Sequence, residues 1–129
     1  MKKGFTLVEI LITIAVLAVI AAIAIPGFSK AKSKAAASQA IAYLRTIRTS
    51  QKMYAAKWGN YLATPSTEIK NYLRAETQTK DYDFSVTTPT VTTFTATAAK
   101  KDNPSNKITL DQDGKFIASG TEEKYQPAS

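Results

Sequence analysis

Glu9 is the one ionisable side chain in an apolar run that extends from Phe5 to Phe28. A carboxylate inside an apolar helix costs on the order of 2–3 kcal/mol near the middle of a bilayer, and somewhat less near its edge. A residue placed at that cost is expected to have a partner and a task. The rest of the chain offers little for chemistry. It contains no cysteine and no histidine, so disulfides, thiol catalysis and imidazole bases or ligands are excluded. Any reaction would have to run on carboxylates, lysines or hydroxyls, and no pairing of these stands out. No catalytic residue, no cofactor and no metal ligand is therefore expected. Asp111-Gln112-Asp113-Gly114 opens like a calcium loop. It lacks the later acceptors and the closing glutamate, and so reads as a turn.

The basic residues are unevenly placed. Net charge over the 129 residues is +7. Residues 10–67 hold Lys30, Lys32, Lys34, Arg45, Arg48, Lys52 and Lys57 and no acid. Lys34, Arg45, Arg48 and Lys52 fall on one side of a helix, beside its apolar stripe. Such a row is read first as a solvated face, or as charge partners for acids of neighbouring molecules. The functional alternative is contact with DNA phosphates, without any base-reading motif.

These residues must be carried by a small number of elements, because the chain is long enough for one small domain. Phe5–Phe28 as a helix would span about 36 Å, enough to cross a hydrocarbon core of about 30 Å. Lys2 and Lys3 precede the run and Lys30, Lys32 and Lys34 follow it, so charge alone leaves its orientation open. Pro26 lacks an N–H for the carbonyl of Ala22 and predicts a weak point or kink there. Helix formers then dominate to Trp58, with Ala37, Ile41, Leu44, Ile47, Gln51, Tyr54 and Trp58 at spacings of three and four. Gly59 supplies a stop. A helix from Phe5 to Trp58 would be about 80 Å long, more than one small domain covers.

Residues 59–81 read as a loop with one short helix that begins near Thr64-Pro65-Ser66 and shows Ile69, Tyr72 and Leu73 on one face. The period then changes to two. Tyr82, Phe84 and Val86 alternate with Asp83, Ser85 and Thr87, and the Thr-rich stretch 90–98 suits a strand but alternates poorly. Ile108 and Leu110 face Phe116 and Ala118 across residues 111–114 as a hairpin. The tail from Thr121 reads as loose. Tyr43, Tyr54, Trp58 and Tyr61, near the helix end, are expected in the core. The fold class is α+β: a long N-terminal helix with a small C-terminal antiparallel sheet packed on its second half.

The segment Gly4-Phe5-Thr6-Leu7-Val8-Glu9-Ile10-Leu11-Ile12 resembles the leader and processing site of type IV pilins and their relatives. Ala22-Ile23-Ala24-Ile25-Pro26, the basic helical continuation, and Tyr54 followed by Gly59-Asn60-Tyr61 are also similar to that family. The resemblance implies cleavage behind Gly4 by a prepilin peptidase and N-methylation of Phe5. It also implies pairing of Glu9 with the new ammonium group on Phe5 of a neighbouring subunit, and melting of the helix near Pro26 on assembly. Family members often carry a glycine where this chain has Ala18.

The expected organisation is a leader at 1–4, a membrane and filament-core half-helix at 5–28, an amphipathic half-helix at 29–58, and a globular head at 59–129. The implied protein is a subunit of a type IV pilus. It would be held in the bacterial inner membrane before assembly and then polymerised into a surface filament serving adhesion, motility or DNA uptake. Implied partners are further copies of itself, the inner membrane, the prepilin peptidase, the assembly machinery and DNA. A pseudopilin or minor pilin of a secretion or competence system is the alternative within the family. The Gly- and Asp-rich calcium segment of the major type II secretion pseudopilin is not found in this sequence. Outside the family, the alternatives are a membrane-anchored monomeric binding domain, which gives Glu9 no polymer role, and an ordinary secreted domain cut after Ala22-Ile23-Ala24.

Overall fold

The computed structural model describes residues 3–64, 70–71, 79–87 and 89–127. The chain divides into two compact units, Met1–Ala35 and Ala36–Ser129. The first helix, α1, runs from Leu7 to Trp58 and contributes to both. It begins two residues later than the apolar run because Thr6 serves as its N-cap. It continues unbroken through Pro26. Gly59, with φ 78°, ends it, since a positive φ is open to glycine at no steric cost.

In the first unit the helix has no covering layer. Leu7, Val8, Leu11, Ile12, Val16, Leu17, Val19, Ile20, Ile23, Ile25 and Phe28 are all more than half exposed. Its best 18-residue window has a mean hydropathy of 2.9 and none of that window is buried, so by length and composition it suits a bilayer.

In the second unit the helix meets a four-stranded antiparallel sheet with strands in sequence order: β1 (Tyr82–Thr87), β2 (Thr95–Lys100), β3 (Lys107–Asp111) and β4 (Phe116–Ser119). Ala37, Ala40, Leu44, Ile47 and Gln51 form the buried helix face. They share a core with Tyr82, Phe84, Val86, Phe94, Ala96, Ala98, Ile108, Leu110, Phe116 and Ala118. Alternate residues of every strand point inward, as the pleat requires. The alanines thin the layer where Leu44, Ile47 and the phenylalanines supply its bulk. Each fully buried Leu, Ile or Phe stabilises the fold by about 1.5–3 kcal/mol.

The expected hairpin is present, with Ile108 opposite Ala118 and Leu110 opposite Phe116. Its turn is closed by Asp111, whose Oδ1 accepts from the N–H groups of Asp113 and Lys115 at 3.0 and 2.8 Å.

Several sequence expectations are corrected. The strand expected within 90–98 starts at Thr95, because Thr90 folds back on itself: its Oγ1 accepts from the N–H of Thr93 at 2.8 Å. Phe94, Ala96 and Ala98 supply the inward alternation that the threonines obscured. The tail is ordered through a 3-10 helix, Gly120–Tyr125. Its Glu122 is 1% exposed and accepts a hydrogen bond from the Tyr82 hydroxyl at 2.5 Å. Trp58, expected in the core, is 61% exposed. Tyr43 and Tyr61 do flank the core, packing edge-on against Phe84 and Phe94 at 5.5 and 4.7 Å. The short helix expected around Ile69, Tyr72 and Leu73 lies on 65–69 and 72–78, outside the described residues.

Candidate processing and assembly site

The chain before α1 is extended enough to leave the Gly4–Phe5 peptide bond outside the helix. Phe5 is 79% exposed, and a Cβ placed on Gly4 would meet nothing within 4 Å. Open backbone of this kind is what a peptidase needs, because a helical bond must unwind before it can be cut.

Thr6 and Glu9 set the helix start. The N–H of Glu9 donates to Thr6 Oγ1 at 3.2 Å, and the N–H of Thr6 donates to Glu9 Oε2 at 3.4 Å. This is a reciprocal capping box, in which two of the otherwise orphaned N–H groups find side-chain acceptors. It also puts a carboxylate in the first helical turn, where the macrodipole favours negative charge. The Thr-x-x-Glu spacing is the sequence signal for this cap, and it lies in the same residues that mark Glu9 as a partner for another molecule. One turn on, Thr13 Oγ1 donates to the carbonyl of Ile10 at 2.7 Å, so this hydroxyl is satisfied within the helix. Glu9 remains the one charged group between Phe5 and Phe28, and among the described residues its second oxygen accepts no hydrogen bond. Pro26 leaves the carbonyl of Ala22 without its helical donor.

The four basic residues singled out in the sequence fall into two groups. Lys34 and Lys52 are exposed. Arg45 lies over the Phe116 ring, its guanidinium carbon 5.6 Å from the centroid. Arg48 donates from Nε to the carbonyl of Gln112 at 3.0 Å and so ties the helix to the β3–β4 turn. The structure therefore joins Arg45 and Arg48 to the sheet.

The N-terminus matches a family model described as the prokaryotic N-terminal methylation motif, over residues 1–25. It is a prepilin-type N-terminus. The chain carrying it is similar to curated type IV pilins. It is 37% identical over 60 residues to the type IV major pilin PilA of Myxococcus xanthus, covering 46% of this chain and 27% of that one. It is 36% identical over 73 residues to PilA4, the type IV wide pilus major component of Thermus thermophilus, covering 57% and 56%. It is 28% identical over 89 residues to the type IV major pilin PilE1 of Neisseria gonorrhoeae, covering 63% and 54%. The matches thus span from about a quarter to just over half the length of these relatives. The prepilin-type segment coincides with the open Gly4–Phe5 bond, the capping box and the uncovered apolar helix.

Proposed function

We propose that this protein is a structural subunit of a type IV pilus, held in the bacterial inner membrane as a precursor and polymerised through its N-terminal helix. The observation that carries this reading is a charged residue, Glu9, one turn from the open Gly4–Phe5 bond in a helix whose apolar side chains are uncovered. Lipid and a bundle of like helices are both apolar, so moving between them yields little hydrophobic free energy. Assembly must then be directed by packing and by polar groups. Cleavage behind Gly4 creates an ammonium group on Phe5, and Glu9 of a neighbouring subunit is its partner. A buried pair of this sort fixes register more than it adds net stability.

The uncleaved chain would bring Lys2 and Lys3 into the filament core and offer no such ammonium, so it does not polymerise. Pro26 provides the place at which the helix yields when subunits pack. The C-terminal unit faces outward and serves adhesion, motility or DNA uptake. The prepilin peptidase and the assembly machinery are the partners this route requires.

N-terminal sequencing and intact mass of material sheared from cell surfaces test the reading. A chain that begins at Phe5, with or without one added methyl group, is expected. A chain that begins at Met1 means a simple anchor, and one that begins at Ile25 means an ordinary secreted domain; either overturns it.

A further inference from the structure

The two edges of the sheet are closed by different means. At β1, Thr64 lies against Val86: the Thr64 N–H donates to the Val86 carbonyl at 3.4 Å, and the Val86 N–H donates to the Thr64 carbonyl at 3.3 Å. At β4, among the described residues, no strand lies beyond. A side chain takes the place of one. Gln126 Oε1 accepts from the Ala118 N–H at 3.3 Å, and Gln126 Nε2 donates to the Phe116 carbonyl at 2.8 Å.

These two backbone groups are the ones a further strand would use. The N–H and C=O of one residue leave a strand on the same side, and those of the next residue on the other. The Lys115 carbonyl accepts from the Asp111 N–H at 3.2 Å, and Thr109 of β3 stands opposite Ile117. Phe116 and Ala118 therefore direct their backbone groups away from β3. The Gln126 amide meets them as a peptide group of an added strand would, and an edge stopped in this way does not template pairing with another chain. Gln126 is itself exposed, and its backbone is held separately, its N–H donating to the Glu123 carbonyl at 3.2 Å. The side chain can thus leave the strand with the 3-10 helix in place.

We propose that the β4 edge is a strand-addition surface for a second copy of this chain, closed by Gln126 until that side chain is displaced. The second copy is favoured over an unrelated peptide because β4 is complementary to itself. Antiparallel pairing about a two-fold axis at Ile117 sets Phe116 opposite Ala118 of the second copy as a hydrogen-bonded pair. Ile117 then meets its own equivalent in the closer, non-hydrogen-bonded position. This residue is 56% exposed, on the face of β4 away from the core, and the pairing covers it. Lys115 falls opposite Ser119 of the second copy, so no lysine meets a lysine. Backbone hydrogen bonds at both Phe116–Ala118 pairs replace those of the Gln126 amide. All of these groups belong to the C-terminal unit, and the pairing does not rest on the filament reading.

The chain contains no cysteine, so a single introduced thiol reports the pairing. Ile117→Cys is made in the full chain in detergent micelles, and disulfide-linked dimer is followed under mild oxidation. Cα atoms of a non-hydrogen-bonded pair lie about 4.5 Å apart, within reach of a disulfide. With Gln126 present, dimer should form slowly. Gln126→Ala should speed it by roughly 5- to 150-fold, the value of two hydrogen bonds. Gln126→Glu keeps an acceptor for Ala118 and loses the donor to Phe116, and should fall between. Thr97→Cys, on the outer face of the interior strand β2, should gain nothing from Gln126→Ala, which separates edge pairing from association of the N-terminal helices. Without any thiol, amide exchange at Phe116 and Ala118 in Gln126→Ala should slow as protein concentration rises, while the amides of the 3-10 helix keep their protection. Equal dimer rates with and without Gln126, an equal gain at Thr97→Cys, or exchange at Phe116 and Ala118 that ignores concentration overturns the proposal, whether or not the protein forms filaments.

Discussion

Two glutamates of this chain are held by hydrogen-bond donors in opposite surroundings. Glu9 caps the start of α1 in the open, while Glu122 is buried against the Tyr82 hydroxyl with Lys100 Nζ 3.8 Å away. Removing the Tyr82 hydroxyl leaves a buried carboxylate with a missing donor, which costs about 1–3 kcal/mol. Tyr82→Phe should therefore lower the thermal midpoint of the head by several degrees in a calorimetric or circular-dichroism melt; an unchanged midpoint would show that Lys100 suffices.

The same pair gives a pH dependence. Burial first, and then the hydrogen bond to Glu122, raise the pKa of Tyr82 well above its ordinary value of 10.0. The folded state keeps the phenolic proton after the unfolded state has lost it. The contribution is thus complete below about pH 10 and declines as pH rises beyond it. In melts taken from pH 8 to pH 11, the wild-type midpoint should fall above pH 10 more steeply than that of Tyr82→Phe. Parallel curves would contradict the assignment.

At the level of elements, α1 has one sequence character in each unit. From Leu7 to Phe28 its apolar side chains are uncovered, and from Ala37 to Gln51 one narrow stripe is fully buried. Leu44 is the largest aliphatic side chain on that stripe together with Ile47, and its truncation leaves a cavity that the sheet cannot fill. Leu44→Ala is expected to cost about 2–5 kcal/mol, read as a shift in denaturant midpoint. Ala42, on the exposed side, should tolerate Ala42→Ser with almost no shift.

The tail is held by geometry of another kind. Gly120 has φ 67°, and a Cβ there would collide with Asn106 Oδ1, which accepts from the Thr121 N–H at 3.1 Å. Gly120→Ala should destabilise the head and free the 3-10 helix, measured as faster amide exchange from Thr121 to Tyr125. Retained protection would mean that Asn106 gives way.

At the scale of the whole molecule, the proposed reading gives the head and the helix separable duties and assigns Glu9 to assembly. Glu9→Val should abolish surface filaments seen by electron microscopy while leaving the melting of the head unchanged, since the hydrogen bonds of Glu9 run to Thr6 within its own unit. Filaments of normal length from that variant would remove Glu9 from the assembly step. Much of this division was legible in the chain. A charged residue in an uninterrupted apolar run, a glycine before a phenylalanine, and a switch from a period near 3.6 to a period of two each have a local physical cause. Gly4, Phe5 and Glu9 stand out in the sequence for the same reason, and the capping role of Thr6 has its own signal in the Thr-x-x-Glu spacing.

What the sequence determined by itself is what depends on neighbours in the chain: the extent of α1, its stop at Gly59, the alternation of β1, and the β3–β4 hairpin with its Asp111 turn. Local propensity and short-range hydrogen bonds decide these. The tertiary structure alone decided the rest. Glu122 is buried because residues 40 positions apart meet at one end of the sheet. Trp58 is exposed, whereas Gln51, seven residues before it, is buried and hydrogen-bonded to Leu62 at 2.7 and 2.9 Å. Arg45 and Arg48 engage the head because the β3–β4 hairpin reaches the helix. Each of these turns on which surfaces come into contact, and periodicity along a chain carries no record of where a neighbouring layer stops.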